Sequence, residues 1–382
     1  MRLLHTADLH LDSAFCSYGE RDAERQRESG REMLRRIFEC AADEKCDMIL
    51  IAGDLFDRGF ISPESAELFC TLVEKSNILV VLSPGNHDPY SEDGFYAKAR
   101  ARLGEVFTVF SSSELQMFEF DALHLRVFGY AFTSPVLSQS PLSAAQMPED
   151  NGYLKIFCGH ADLASPVSRY APVTISEISA CGFDYAALGH IHNRAEREDA
   201  DGRVRYSGFA EGRSFDELGD GGVWIVDIDG GECRCQRRVI SSRSFWKDEL
   251  DISAADTEQA LRTLVLDKAA GYAKSGAHLR LILTGRAERS VISSIISQSD
   301  ALASDAGLEY IELIDETLPF IDGEYLERDT TLRGEMYRTL LPKLAGEDPE
   351  ERRIATQALR IGLAAIDGKN IFDAFGADGG RQ

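Results

Sequence analysis

Residues Met48 to Asp57, MILIAGDLFD, decide how this chain is read. An apolar run stops at Gly53, and two carboxylates, Asp54 and Asp57, follow. A short apolar run without alternation belongs to a strand buried on both faces, as in parallel sheets. The preceding segment, Glu20 to Lys45, spaces Met33, Leu34, Ile37, Phe38 and Ala41 along one face of an amphipathic helix. After it, Ser62 and Pro63 supply an N-cap and a first-turn proline for a helix reaching about Lys75. Ile78 to Leu82 then repeats the apolar run and ends in Ser83-Pro84-Gly85-Asn86-His87-Asp88. Strand alternating with helix predicts parallel pairing in the first third of the chain, with polar residues at strand carboxyl ends, where α/β sheets place ligands.

The same design recurs. Leu3-Leu4 leads into His5-Thr6-Ala7-Asp8-Leu9-His10, Leu154 to Cys158 into Gly159-His160, and Tyr185 to Leu188 into Gly189-His190-Ile191-His192. Between them VFTVF, QMFEF and LHLRVFGYAF bring few helical signals, which predicts a second, more antiparallel sheet. Tyr206-Ser207-Gly208 and a strand from Val223 to Ile228 close a first domain, residues 1–240. A smaller βαβαβ segment follows, residues 245–320, with strands Glu249 to Ile252, His278 to Thr284 and Leu308 to Leu313 and helices around Thr257 to Ala270 and Arg289 to Leu302. Residues 321–382 read as C-terminal helices, the last opened by Asp348 and Pro349, and a tail from Asp367 rich in Gly and Asp.

The chain's 382 residues, 44% hydrophobic and 27% charged, suit a globular protein of two domains with an appendage. Its formal net charge of -23 repels polyanions, so a nucleic-acid substrate must meet local positive charge or be presented by a partner. Candidates for that charge are Arg234, Arg237, Arg238, Arg243 and Lys247. The eight cysteines (16, 40, 46, 70, 158, 181, 233, 235) form no CxxC pair and read as reduced thiols, Cys233 and Cys235 sharing one strand face. No signal-peptide core or stretch of membrane-spanning length is present, and the expected location is the cytoplasm.

Five of the eight histidines fall at the ends of apolar runs, beside carboxylates and an amide. Asp8, His10, Asp54, Asn86, His160, His190 and His192 are the donor types that suit manganese, iron or zinc in a mixed nitrogen and oxygen site. Two divalent ions about 3.5 to 4 Å apart need a bridging carboxylate and clamp both oxygens of an in-line phosphoryl displacement, and Asp54 is the natural bridge. Singly each piece is weak: Gly-Asp after a strand is a common turn, and an isolated histidine is usually structural, as His5, His124 and His278 are expected to be. Their joint occurrence at strand ends, in one chain order, is what chance leaves unexplained.

The order DxH (Asp8, His10), GD (Asp54), GNHD (Asn86, His87, Asp88), GH (His160) and GHxH (His190, His192) resembles the calcineurin-like metallophosphoesterase signature. HTADLHLD, GDLFD and YSGFAEGRSFDELG (Tyr206 to Gly219) resemble its DNA-repair exonuclease branch, the SbcD and YhaO-type nucleases. The resemblance implies an α/β fold of two packed mixed sheets flanked by helices in four layers, with a smaller α/β capping domain. It implies one metal on Asp8, His10, Asp54 and His192 and a second on Asp54, Asn86, His160 and His190, manganese first, with iron, zinc or magnesium as alternatives. It further implies that a hydroxide activated by the two ions is the nucleophile, and that His87, oriented by Asp88, stabilises charge or protonates the leaving oxygen. Asp57 either hydrogen-bonds a histidine ligand or caps its loop; Arg213 contacts phosphate or pairs with Asp216 or Glu217. The implied activity is DNA exonuclease, with endonuclease action open, and the implied partners are DNA, a coiled-coil ATPase of the SbcC or YhaN kind and a second copy of the chain. The C-terminal stripe Ile354, Leu359 and Leu363 either docks that ATPase or packs on its own domain. A phosphodiesterase or phosphatase for a small ester such as a cyclic nucleotide is the alternative, and a non-catalytic scaffold is disfavoured by the intact donor set.

Overall fold

The structure is a computed structural model that describes residues 1–15, 20–57, 61–143, 145–163, 165, 167–192, 201–319, 323–366 and 368. Cys16 and, Gly368 apart, the tail from Asp367 lie outside these residues. The chain packs as two units, the first Met1–Arg213 with Asp220–Ser242, the second Ser214–Gly219 with the described residues from Arg243 onward.

The first unit opens with β1 (Arg2–Thr6), α1 (Glu20–Asp43), β2 (Met48–Ile51), α2 (Pro63–Ser76), β3 (Leu79–Leu82), α3 (Phe95–Leu103) and β4 (Phe107–Val109). Strands β1 to β4 pair in chain order and all in parallel, Leu4 opposite Ile49 and Ile49 opposite Val80. Their unbroken apolar sequence has a direct cause. Leu4, Ile49, Ile51, Val80 and Leu82 pack with Leu34, Phe38, Phe69 and Val73 of α1 and α2, while Leu3, Met48, Leu50 and Val81 pack with Val127, Ile156 and Tyr185 of a second sheet. Each such side chain withdrawn from water contributes about 1.5–3 kcal/mol. Helix α2 starts where the sequence predicts, the Ser62 hydroxyl accepting from the Ser65 N–H and Pro63 in the first turn.

The second sheet contains β5 (Gln116–Phe120), β6 (Leu125–Gly129), β7 (Leu154–His160), β8 (Tyr185–Gly189) and β9 (Val204–Tyr206), with α4 (Ile175–Cys181) between β7 and β8. Here the expectation of antiparallel pairing fails: only β5 and β6 are antiparallel, and the other three pairs are parallel. The connection from β6 to β7 is long enough to return the chain to the same end, but its described residues include no helix to announce a crossover. Strand β10 (Gly219–Asp229) runs antiparallel to β1, Leu4 opposite Ile225, and β11 (Glu232–Asp251) begins beside β10 and carries the chain into the second unit. Both sheets are thus mixed. With α1 to α3 on one side and α4 on the other, the first unit has the four layers that the resemblance implies.

His5 is buried between the sheets, its Nδ1 2.9 Å from the Tyr185 hydroxyl and its Nε2 3.2 Å from the Leu188 carbonyl. Burial pushes its pKa down to about 3. The unfolded chain takes up a proton near pH 6.5 that the folded one refuses, so stability falls as pH drops from about 6.5 towards 3, by up to about 1.4 kcal/mol per unit from this residue. Urea midpoints across that range should flatten in His5→Gln relative to the wild type; parallel slopes would refute the assignment.

In the second unit β11 pairs in parallel with β12 (Ala277–Thr284), and β12 with β14 (Tyr310–Asp315). Helices α5 (Glu258–Ala270), α6 (Arg289–Ile296) and α7 (Ser299–Ala306) cover one face through Leu261, Val265, Ile295 and Leu302, and β13 (Arg286–Ala287) pairs with β15 (Leu318–Pro319). The single helix expected over Arg289 to Leu302 is broken at Ser297 and Gln298. Helices α8 (Gly323–Arg328), α9 (Leu332–Leu344) and α10 (Pro349–Ile366) share Leu326, Tyr337, Leu359 and Leu363 as a small core, and the Arg360 guanidinium holds the Asp315 carboxylate at 2.7 Å. Of the apolar stripe, Leu359 and Leu363 are therefore buried and Ile354 is 54% exposed. The Cys233 and Cys235 sulfurs lie 3.8 Å apart on one face of β11, and the seven cysteines among the described residues are free thiols. No helix among the described residues is long and apolar enough to cross a membrane.

Candidate metal centre

The loops that leave β1 and β2 continue side by side past the strand ends. Asp8 N–H donates to Gly53 O, His10 N–H to Asp54 O, Leu11 N–H to Leu55 O and Asp57 N–H to Leu11 O, at 2.9 to 3.1 Å. This ladder sets Asp8 and His10 against Asp54. All three side chains are buried, and all three backbones are left-handed, with φ of 55°, 44° and 50°. His190, at φ 100°, is a fourth such residue. Each non-glycine residue held there costs on the order of 1–3 kcal/mol, which the surrounding bonds must offset.

Atoms from Asp8, His10 and His192, from Asp8, Asp54 and His160, and from His10, Asp54 and His87 converge in three groups, each within 4.8 Å. Asp54 Oδ2 lies 3.2 Å from His160 Nε2 and 3.8 Å from His10 Nε2, and Asp8 Oδ1 lies 3.5 Å from His192 Nε2. His160 Nδ1 is 3.0 Å from the Ala52 carbonyl, to which it donates. That fixes its proton, leaving the Nε2 lone pair facing Asp54 and the Asn86 Oδ1 at 3.0 Å. Acceptors turned on one another need a cation between them. Burial pushes the His160 imidazole down, but the Asp54 carboxylate overrides it and raises the pKa to about 9, a measure of how strongly this position favours positive charge. Burial likewise opposes ionisation of Asp8 and Asp54, yet His192 and His160 respectively lead the imidazoles that hold both carboxyls low. Burial, aided by Arg213, lowers His10 to about 3, which leaves a neutral ring for a metal. This donor set fits divalent metal ions.

His190 contributes differently. Its backbone N–H bonds both Asp8 oxygens at 3.1 Å, its ring centre is 5.1 Å from that of His160, and it belongs to none of the three tight groups. Two glycines make the approach possible. A Cβ on Gly53, at φ +96°, would stand 2.3 Å from His160 Nδ1, and one on Gly85 would stand 2.1 Å from Asp54 Oδ1.

The sequence profile of the calcineurin-like phosphoesterases matches residues 1–194. The chain belongs to this family. Hydrolysis of phosphoesters at a metal centre follows for it. It is similar to the uncharacterized metallophosphoesterase YhaO of Bacillus subtilis (strain 168), 28% identical over 303 residues that cover 75% of this chain and 72% of that one. It is 24% identical over 259 residues to a subunit of the nuclease SbcCD of Staphylococcus epidermidis, covering 61% of this chain and 67% of the relative. It is also 24% identical over 254 residues to the DNA double-strand break repair protein Mre11 of Methanopyrus kandleri, covering 60% of this chain and about half, 55%, of the relative.

One sequence reading of this calcineurin-like phosphoesterase needs correction. Asp88 does not orient His87. Its carboxylate accepts from Gly85 N–H at 2.8 Å, from Phe56 N–H at 3.0 Å and from the Tyr96 hydroxyl, and is buried. Burial, with the charge of Asp54, pushes Asp88 up to about 7, and the three donors oppose this. The residue that holds His87 is Asp57, whose Oδ1 is 2.6 Å from His87 Nδ1 and whose Oδ2 accepts from the Ser13 hydroxyl at 2.9 Å. His87 N–H in turn donates to Asp54 Oδ1 at 2.9 Å. Arg213 reaches His192 Nδ1 at 3.2 Å. Sequence reasoning missed Tyr96, Asp12 with its serine partners, and Tyr170, whose ring lies 4.9 Å from that of His190. A lone tyrosine after a proline-containing loop gives no signal, and the Asp12 contacts span about fifty residues. Of the expected cations, Arg238 bonds Glu44 and Arg237 donates to Ser207 O and Phe209 O, so these two tie the fold together, while Arg234 makes an exposed pair with Glu232 on its own strand.

Proposed function

We propose that this calcineurin-like phosphoesterase hydrolyses DNA phosphodiester bonds, with Asp8, His10, Asp54 and His192 holding one divalent ion and Asp54, Asn86, His160 and His190 a second. The observation that carries the metal centre is the facing of acceptors, Asp54 Oδ2 standing 3.8 Å from His10 Nε2 and 3.2 Å from His160 Nε2. The DNA substrate is supported by likeness to a nuclease subunit and to a double-strand break repair protein. When bound, two divalent ions supply positive charge at the phosphoryl oxygens and lower the pKa of the attacking water. The chain's own part is positioning. Asp57 accepts a hydrogen bond from His87 Nδ1–H, which leaves Nε2 for the scissile phosphate. As the imidazolium, with a proton on each nitrogen, His87 would stabilise charge there and give its Nε2 proton to the leaving oxygen, returning to the neutral ring held by Asp57. Manganese is the metal proposed, with iron, zinc and magnesium as alternatives that this mixed nitrogen and oxygen donor set also suits.

The acidity of the chain, -23, favours a partner that supplies DNA affinity, and a coiled-coil ATPase of the SbcC or YhaN kind fits that need. A homodimer and a cytoplasmic location complete the reading. Purified protein with manganese should degrade linear duplex DNA. Cleavage of bis-p-nitrophenyl phosphate without any of DNA would transfer the assignment to a small phosphoester.

Tyr170 offers a finer test. The residue is 38% exposed, its ring beside that of His190, and its backbone is pinned by a bridge to Leu137 and by Asp162 N–H at 3.0 Å. A base stacked on it contributes about 1–3 kcal/mol, so Tyr170→Ala should lose about 5- to 150-fold in kcat/KM on DNA, with Tyr170→Phe near wild type. Equal losses on DNA and on methyl p-nitrophenyl phosphate would show that the ring does not serve the base.

A further inference from the structure

We propose that Asp12 is a positioning residue that keeps the loop bearing Asp8 and His10 in register with the loop bearing Asp54; this rests on the metal-centre reading above. Asp12 belongs to none of the converging metal-binding groups, yet its side chain is wholly shielded from solvent. A buried carboxylate needs partners, and here three hydrogen bonds come from the start of α2, with a guanidinium of α1 beside them. Oδ2 accepts the Ser62 N–H at 2.8 Å, Oδ1 accepts the Ser62 hydroxyl at 3.0 Å and the Ser65 hydroxyl at 2.8 Å, and the Arg31 guanidinium stands 3.8 Å away.

The location gives these bonds their purpose. The backbone ladder between the two loops runs through Asp8, His10 and Leu11 and ends with Asp57 N–H on Leu11 O. At the next residue the Asp12 side chain takes over, reaching the backbone at Ser62, five positions past Asp57. The loop that it ends alternates left-handed residues, Asp8, His10 and Asp12, the last at φ 61°. Such a backbone persists only where its surroundings over-determine it. Asp8 is held at one end by His190 N–H, and Asp12 holds the other end. Helix α2 does not require Asp12 as a cap, since the Ser62 hydroxyl already accepts from Ser65 N–H. The added bonds therefore connect two ligand-bearing loops.

The test is manganese binding to the full chain by calorimetry, with the visible spectrum of the cobalt-loaded protein as a second readout of donor geometry. Loss of a residue that orients metal ligands typically costs 10- to 100-fold in affinity, so Asp12→Ala should weaken manganese binding by about that factor and alter the cobalt bands. Asp12→Asn keeps an oxygen for Ser62 N–H and an amide for the hydroxyls, and should return to within about threefold of wild type. Phe69→Leu, on the core-facing side of α2, controls for lost stability and should leave affinity unchanged. If Asp12→Ala does not fold, Ser62→Ala combined with Ser65→Ala removes two of the three donors and should still weaken binding about 3- to 10-fold. Folded Asp12→Ala, or that double variant, binding manganese within about twofold of wild type overturns the inference, as does an equal loss in Phe69→Leu. A wild-type chain that binds no divalent ion overturns the metal-centre reading and this inference with it.

Discussion

Asp54→Asn should lower phosphodiester hydrolysis by about 1,000-fold or more, the loss of several kcal/mol of charge stabilisation at one position. Asp54, like Asp8, belongs to two of the converging groups, and its Oδ2 lies within 3.8 Å of both His10 and His160. Its other oxygen is already bound to His87 N–H and is closely covered by Gly85. An amide keeps the shape, but whichever way it turns, its NH2 group points either at a peptide N–H or into the imidazoles. The carboxylate charge that offsets burial of His160 is lost as well. Metal content should therefore fall together with rate, while the circular dichroism spectrum stays native. A variant that keeps both ions and the full rate would dismiss Asp54 as the bridge.

His87→Ala should lose about 100- to 10,000-fold in kcat, the usual range for a positioned acid–base group, with little change in KM. The ring stands edge-on to His10, centres 4.7 Å apart, and its Nδ1 is committed to Asp57. Only Nε2 is available for chemistry. Geometry alone also allows His87 to share a metal with His10 and Asp54, so metal content decides between roles. Retention of both ions in the inactive variant supports proton delivery; loss of one would make His87 a ligand. Asp57→Asn should show a milder loss of the same kind, because the amide still sits against Nδ1.

The gathering of the candidate residues was legible because each follows an apolar run, and parallel strands buried on both faces can be read from composition alone. Asp8, His10, Asp54, His160 and His192 are indeed gathered by the carboxyl ends of β1, β2, β7 and β8. Illegible were the contacts that sequence distance conceals. Asp88 adjoins His87 in the chain, but its side chain turns back to Phe56 and Tyr96, whereas Asp57, thirty residues away, is brought to the ring by the ladder between loops. Strand direction in the second sheet was misjudged for a similar reason, since a crossover without a helix looks like a succession of hairpins. Arg237 and Arg238 looked like a surface for phosphates because charge is visible in sequence and its partner is not.

The left-handed backbone at Asp8, His10 and Asp54 bears on how this centre can be dissected by mutagenesis. Alanine dislikes that conformation, while asparagine, like aspartate, tolerates it. An alanine scan would register relaxation of the main chain together with loss of a ligand, and would overstate the importance of every acid in the centre. Asparagine separates the two effects at Asp8 and Asp54; at His10 the corresponding probe is also asparagine, and the gap between its phenotype and that of alanine measures how much of the site's performance resides in the shape of the chain itself.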